Sequence, residues 1–222
     1  MGGLIPLGDA SRRPRSAAAV TLLLIAVNTV VFFEELAGGN AFVRAWSAVP
    51  ARIMHGHHAV TLLTSMFMHA SWMHIIGNMV FLWAFGPEME DAMGHARYLF
   101  FYLFGGLLAM MAQVLADPTS RGPCLGASGA IAAVMGAFIV TYPRDRIRSL
   151  IFILIFPIRI ALIPAVLLIG FWFLIQVFDY GAVADVRTGG VAYMAHIAGF
   201  LFGVVTAPLF RNRSRMAASA PY

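Results

Sequence analysis

Residues 126–143 read Gly126-Ala-Ser128-Gly129-Ala-Ile-Ala-Ala-Val-Met-Gly136-Ala-Phe-Ile-Val-Thr-Tyr142-Pro143. Nothing between Ser128 and Tyr142 is charged, and Pro143 disfavours continuation, so the stretch reads as a helix of roughly 15 residues. At about 1.5 Å per residue it is about 22 Å long, shorter than the ~30 Å hydrocarbon core of a bilayer. With Tyr142 at one boundary, Ser128 lies on the order of 8 Å below the other. Irregular Gly-rich backbone at that depth is tolerated only beside protein or water. The stretch therefore implies a short helix whose first turn opens into a recessed cavity, with a serine at its edge.

The rest of the chain has the composition to surround such a helix. It is 60% hydrophobic and 11% charged, with mean hydropathy +0.82, against about 25% charged for a soluble domain. Apolar runs at 17–35, 72–91, 97–116, 127–142, 161–178 and 191–210 predict six transmembrane helices in one all-α membrane domain. The domain covers 17–210, between a cytoplasmic segment 1–16 and a cytoplasmic tail 211–222. Segment 36–70 is semi-apolar from Val60 to Met68 and is expected to lie in the bilayer interface as a first outer loop. Segment 149–160, broken by Pro157 and Arg159, reads as an interfacial connection.

Every basic residue is arginine, and the arginines lie at the ends of the apolar runs. With the N-terminus inside, Arg12, Arg13, Arg15, Arg97, Arg144, Arg146, Arg148, Arg159, Arg211, Arg213 and Arg215 face the cytoplasm. Arg44, Arg52, Arg121 and Arg187 face out. This is the positive-inside bias, so the formal charge of +5 marks orientation and not a nucleic-acid partner. Arg12, Arg13 and Arg15 before the run Ala17–Phe33 look like the start of a signal peptide. No small-residue cleavage site follows, which makes this a retained span. Cys124 is the only cysteine, excludes an internal disulfide, and reads as a packing residue.

A serine hydroxyl is a weak nucleophile and needs an adjacent base. Of the seven histidines, only His74 and His196 fall within spans or at their starts, where ionisable residues are functional candidates. Ser128 opens its helix, so its amide is unpaired by the ladder and sits at the positive end of the dipole. That is half of an oxyanion hole. His74 and Asn78 are four residues apart, share one face of span two, and can both donate hydrogen bonds. Ala195, Gly199 and Gly203 on span six, and Gly129, Ala133 and Gly136 on span four, form small-residue ridges that let helices approach closely. Such an approach would bring His196 to Ser128.

Other chemistries lack their residues. Gly-x-Ser-Gly alone, or His74 and Asn78 alone, would read as packing and inter-helix hydrogen bonding. A zinc hydrolase would want His-Glu-x-x-His, and none exists. His55-Gly56-His57-His58 has no second ligand cluster to complete a metal site. Asp9, Asp91, Asp117, Asp145, Asp179 and Asp185 lie at span ends or in loops, which excludes an intramembrane carboxylate pair.

Taken together, the chain resembles the rhomboid intramembrane serine proteases. The matching residues are His69, His74 and Asn78 in a His-x4-His-x3-Asn pattern, Gly126-Ala-Ser128-Gly129, and Ala195-His196-x2-Gly199-x3-Gly203. They fall in the expected order on spans two, four and six. The resemblance implies a six-helix rhomboid bundle and a Ser128–His196 dyad without a third acidic residue. It also implies an oxyanion site from His74, Asn78 and the Ser128 amide, with Gly126, Gly129 and Gly199 as active-site glycines. It implies no cofactor. The implied partners are the lipid bilayer and transmembrane protein substrates, with single-span helices as the expected case, cut near their outer ends. Access is expected from lipid, past a gate on span five at Phe171 and Trp172, under a cap at 179–190. Glu90 resembles the family's structural glutamate, and the expected location is a bacterial inner membrane with both termini cytoplasmic. Two departures stand out. The ring often found four residues after the serine is Ala132 here, so other packing is expected to hold His196. A Trp-Arg pair of the first outer loop is replaced by Val60-Thr61. The alternative reading is a catalytically inactive rhomboid-like protein that binds membrane clients; such relatives usually lack the serine or the histidine.

Overall fold

The computed structural model describes residues 2–153, 156–183, 192–212 and 214–215. In chain order the elements are β1 (Gly2–Asp9), α1 (Ala19–Trp46), α2 (Pro50–Met54), α3 (Thr61–Thr64), α4 (Trp72–Met93), α5 (His95–Ala116), α6 (Ser128–Thr141), β2 (Arg146–Ile153), β3 (Phe156–Pro164), α7 (Ala165–Val183) and α8 (Tyr193–Phe210). Each of the six apolar runs contains a helix, but the first four residues of the fifth run, 161–164, belong to strand β3 and not to a helix. Among the described residues, α1, α5 and α8 are long and apolar enough to cross a membrane, and α6 and α7 contain shorter apolar helices. Helix α4 carries Glu88, Glu90 and Asp91 in its last turns.

The short helix α6 is the centre of the bundle. Every residue from Gly129 to Phe138 is buried, under α4, α5, α7 and α8. Between lipid-embedded helices, association rests on close van der Waals packing, which small residues permit. A run containing Gly129, Ala130, Ala132, Ala133, Gly136 and Ala137 suits that place.

Glu90 joins three helices. The first turn of α1 has no side-chain cap of its own. The fully buried Glu90 carboxylate accepts from the Val20 and Thr21 amides at 2.8 Å and from Thr21 Oγ1 at 2.7 Å. A negative group there satisfies orphan amides and complements the helix dipole. His95 Nδ1, at the start of α5, is 2.6 Å from Glu90 Oε1, the oxygen that also accepts from Val20. Helix α1 extends well past residue 35, to Trp46, and is broken at Gly39 (φ 54°, ψ −145°). The segment that follows is partly ordered as α2 and α3, and exposes Trp46, Met54, Val60 and Leu63.

The expectation of an all-α protein is wrong in one respect. The N-terminal segment and the 149–160 connection build a three-stranded antiparallel sheet, ordered β1-β2-β3. Proline cannot donate to a ladder and is confined to edges and irregularities. Pro6 sits beside the register shift of edge strand β1, and Pro157 beside that of edge strand β3. The central strand, Arg146-Ile-Arg-Ser-Leu-Ile-Phe-Ile153, has no proline. The period-2 signal was masked because β3 is apolar on alternate positions that remain uncovered: Phe156, Ile158, Ile160 and Leu162 are all exposed.

A charged cluster docks this sheet. Arg12 pairs with buried Asp145 and lies 4.1 Å over the Tyr142 ring. Burial, reinforced by Asp145, pushes the Asp9 carboxyl up to about 7, against the opposing effects of the Ser11 amide and Arg12. Docking therefore favours protonated Asp9. Its contribution is fullest below the ordinary carboxylate range and is lost as pH rises towards 7. Hydrogen-exchange protection of the Leu4, Ile5 and Leu7 amides is expected to fall between pH 5 and pH 8 (on the order of one to two logarithmic units). In Asp9→Asn that slope is expected to vanish; an unchanged slope would assign it to another group.

Candidate active site

Ser128 is the first residue of α6. Two residues earlier, Gly126 has φ +136°, a conformation side chains rarely adopt. Its amide donates to the Ser65 carbonyl at 2.8 Å, pinning the turn. Space is also lacking. A methyl on Gly126 would lie 3.0 Å from His74 Cε1 and Nε2, and 3.5 Å from Ser128 Oγ. His74 Nε2 and Ser128 Oγ thus flank one small volume.

Ser71 caps α4, its Oγ accepting the His74 amide at 3.2 Å. This places His74 in the first turn. His74 Nδ1 accepts from the Ala70 amide at 3.4 Å, so neutral His74 carries its proton on Nε2, the atom beside Gly126. Asn78 lies one turn further along α4 and is buried. Its Nδ2 has no hydrogen-bond partner among the described residues. Leaving a buried donor unpaired costs about 1–3 kcal/mol, a cost that a developing oxyanion would offset. His69 supports His74: its amide donates to Glu35 Oε2 at 2.8 Å, and its ring meets His74 edge-on at 5.1 Å.

His196 lies in the first turn of α8, with Nε2 2.6 Å from Ser128 Oγ. Backbone contact between α6 and α8 makes this meeting possible. A Cβ on Gly199 would overlap the Gly129 carbonyl oxygen, one on Gly203 the Ala133 carbonyl oxygen, and one on Gly136 the Phe200 carbonyl oxygen. Helix α5 adds a cap, with Gln113 Oε1 accepting the Ala195 amide at 3.3 Å. The result is a hydroxyl bonded to an imidazole, at a helix N-terminus, with two further donors on α4. This is the equipment for nucleophilic acyl transfer.

A family model of the Rhomboid domain matches residues 56–213, and that range contains Ser128, His196, His74 and Asn78. The chain belongs to the rhomboid family. It is 30% identical to Rhomboid protein 1, mitochondrial, of Saccharomyces cerevisiae over 152 residues, 66% of this chain and 40% of that protein. It is 30% identical to the Presenilin-associated rhomboid-like protein, mitochondrial, of Homo sapiens over 153 residues, 64% of this chain and 36% of that one. It is 27% identical to Rhomboid protease GlpG of Salmonella paratyphi A over 192 residues, 86% of this chain and 63% of that one. The chain thus spans less than half the length of these two mitochondrial relatives.

The structure brings Ser128, His196, His74, Gly126, Gly129 and Gly199 together, with Asn78 on the adjoining turn. Ala132 is buried in α6 and offers no ring. The rhomboid histidine is met instead by Trp172, with ring centroids 5.8 Å apart and planes at 40°, and by Tyr193 edge-on at 6.4 Å. Phe171, the other expected gate residue, is exposed. Of the expected cap at 179–190, residues 179–183 are helical and continue α7; 184–190 lie outside the described residues.

Two glutamines were missed, Gln113 and Gln176. Gln176 Oε1 is 2.6 Å from His196 Nδ1. A signal for it exists. Ala165, Ile169 and Gln176 share a buried stripe of α7, with Trp172 and Phe173 packed against the core. Gln176 is the lone amide on that stripe.

Proposed function

We propose that this rhomboid is an intramembrane serine endopeptidase. The 2.6 Å contact between Ser128 Oγ and His196 Nε2, two residues 68 positions apart in sequence, is the observation that carries this reading. In the proposed mechanism His196 takes the Ser128 proton as the hydroxyl attacks a peptide carbonyl. His74 Nε2–H, Asn78 Nδ2 and the Ser128 amide hold the oxyanion. His196 then protonates the leaving amine, and water hydrolyses the acyl-enzyme. The substrates are transmembrane proteins, in particular single-span ones. Carbonyls in a regular helix are already hydrogen-bonded, so cleavage favours segments whose helix is weakened by Gly, Pro or polar residues.

The chain is an integral membrane protein, for which we propose six spans. The arginine bias supports a cytoplasmic side for both termini, and the membrane we propose is a bacterial inner membrane. The match to the Salmonella relative, which covers 86% of the chain, supports the bacterial type. A fluorophosphonate tests the reading directly: the purified protein in detergent should be labelled at Ser128, and not after His196→Ala. Labelling elsewhere, or labelling indifferent to His196, would remove the assignment.

Lateral access is assigned to α7. Phe171→Ala is expected to speed cleavage of a bulky substrate several-fold. Trp172→Ala is expected to slow it, because the Trp172 ring also packs against His196. Unchanged rates in Phe171→Ala would remove the gate from α7.

A further inference from the structure

We infer that Gln176 is the positioning residue that fixes the tautomer and orientation of the His196 imidazole. The inference rests on the peptidase reading for its kinetic consequence, but its geometric core stands separately. Gln176 is buried, and its Oε1 lies 2.6 Å from His196 Nδ1. An amide can present either oxygen or NH2 to a ring nitrogen, and the two choices have opposite effects. Here the surroundings choose. Gln176 Nε2 donates to the Trp172 carbonyl, one turn earlier, at 3.4 Å. The flipped amide would set its oxygen against that carbonyl oxygen, two acceptors with no proton between them. With Oε1 towards His196, the proton of the neutral ring belongs on Nδ1, donating to Gln176. Nε2 then keeps its lone pair, which is the form that accepts the Ser128 proton.

Ring packing alone would not do this. Trp172 and Tyr193 restrict the plane of the imidazole, but neither contact distinguishes one nitrogen from the other. No carboxylate bonds to His196 among the described residues, so a neutral amide takes the place that an acid holds in a triad. It sets tautomer and orientation without contributing a countercharge. Its position on α7 also has a consequence: the element assigned to lateral access carries the group that aligns the base. Displacement of α7 would release Nδ1.

Three proteins test this: the wild type, Gln176→Leu and Gln176→Glu. In Gln176→Leu the fluorophosphonate labelling rate is expected to fall about ten- to a hundredfold, with Tm lowered by only a few degrees for the ring nitrogen left without its partner. Gln176→Glu keeps an acceptor and adds a charge. It should retain labelling, while the acid limb of its pH profile moves up by about one unit, because a carboxylate favours the imidazolium. A merely structural role would leave that limb where it is. Nitrogen-15 NMR of histidine-labelled protein reads the tautomer without catalysis. His196 of the wild type is expected to be protonated on Nδ1, with the preference lost in Gln176→Leu. A wild-type ring protonated on Nε2, or Gln176→Leu labelling at the wild-type rate, would overturn the inference. If the wild type is not labelled, the peptidase reading fails while the tautomer result still decides the role of Gln176.

Discussion

Ser128→Ala is expected to abolish cleavage of a transmembrane substrate, by at least about 10⁴-fold, with Tm almost unmoved. The side chain lies at the edge of the site and its hydrogen bond is to His196. Removing it leaves the α6–α8 contact, which is made by glycines and backbone, untouched. The stability cost is that of one hydrogen bond, on the order of 1 kcal/mol. His196→Ala should produce a loss of similar size. The double variant should be no worse than the more impaired single, because nucleophile and base act as a unit. Cleavage of a purified substrate in liposomes, alongside thermal unfolding, measures both quantities. Near-wild-type cleavage in either single variant would leave the rhomboid site without its proposed chemistry.

Gly199→Val is expected to give the second-largest effect, through packing. A Cβ at position 199 meets the Gly129 carbonyl oxygen, which is backbone and cannot rotate aside. Helices α6 and α8 would have to separate, at a cost of about 1–3 kcal/mol or more for the overpacked contact. The loss of activity should exceed that figure. Displacing a reacting group by about 1 Å can cost about 100-fold, and Gly199 is one turn from His196 while Gly129 adjoins Ser128. Gly170→Ala on α7 is the control, because a Cβ there has nothing within 4 Å. Labelling rates and Tm values of the two variants separate the cases. Gly199→Val labelling as fast as wild type would show that this close approach does not set the Ser128–His196 distance.

Much of the architecture was legible because membrane helices follow a local rule: long apolar runs must satisfy their backbone internally. Each of the six runs contains a helix for that reason, and the short α6 could be read from Pro143 and the lack of charge. The sheet was not legible. Strands β2 and β3 pair with each other locally, but the other edge of β2 is covered by residues 2–9, more than a hundred positions away. The apolar residues of β3 on an uncovered face also hide the alternation. Within the site, Ser128, His74, Asn78 and His196 were legible because polar groups in apolar runs are rare and costly. Gln176 broke the same rule and was passed over, because an uncharged amide has no motif attached to it.

The sequence by itself determined which segments form apolar helices, which of them is short, and which polar residues those segments carry. These are properties of composition and spacing along one helix. Only the tertiary structure decided what holds His196. The answer, Gln176 and Trp172 on α7 in place of a ring at Ala132, depends on which face α7 turns towards α8. That rotation is set by contacts between helices, and a distance of 2.6 Å across them leaves no periodic trace in either one.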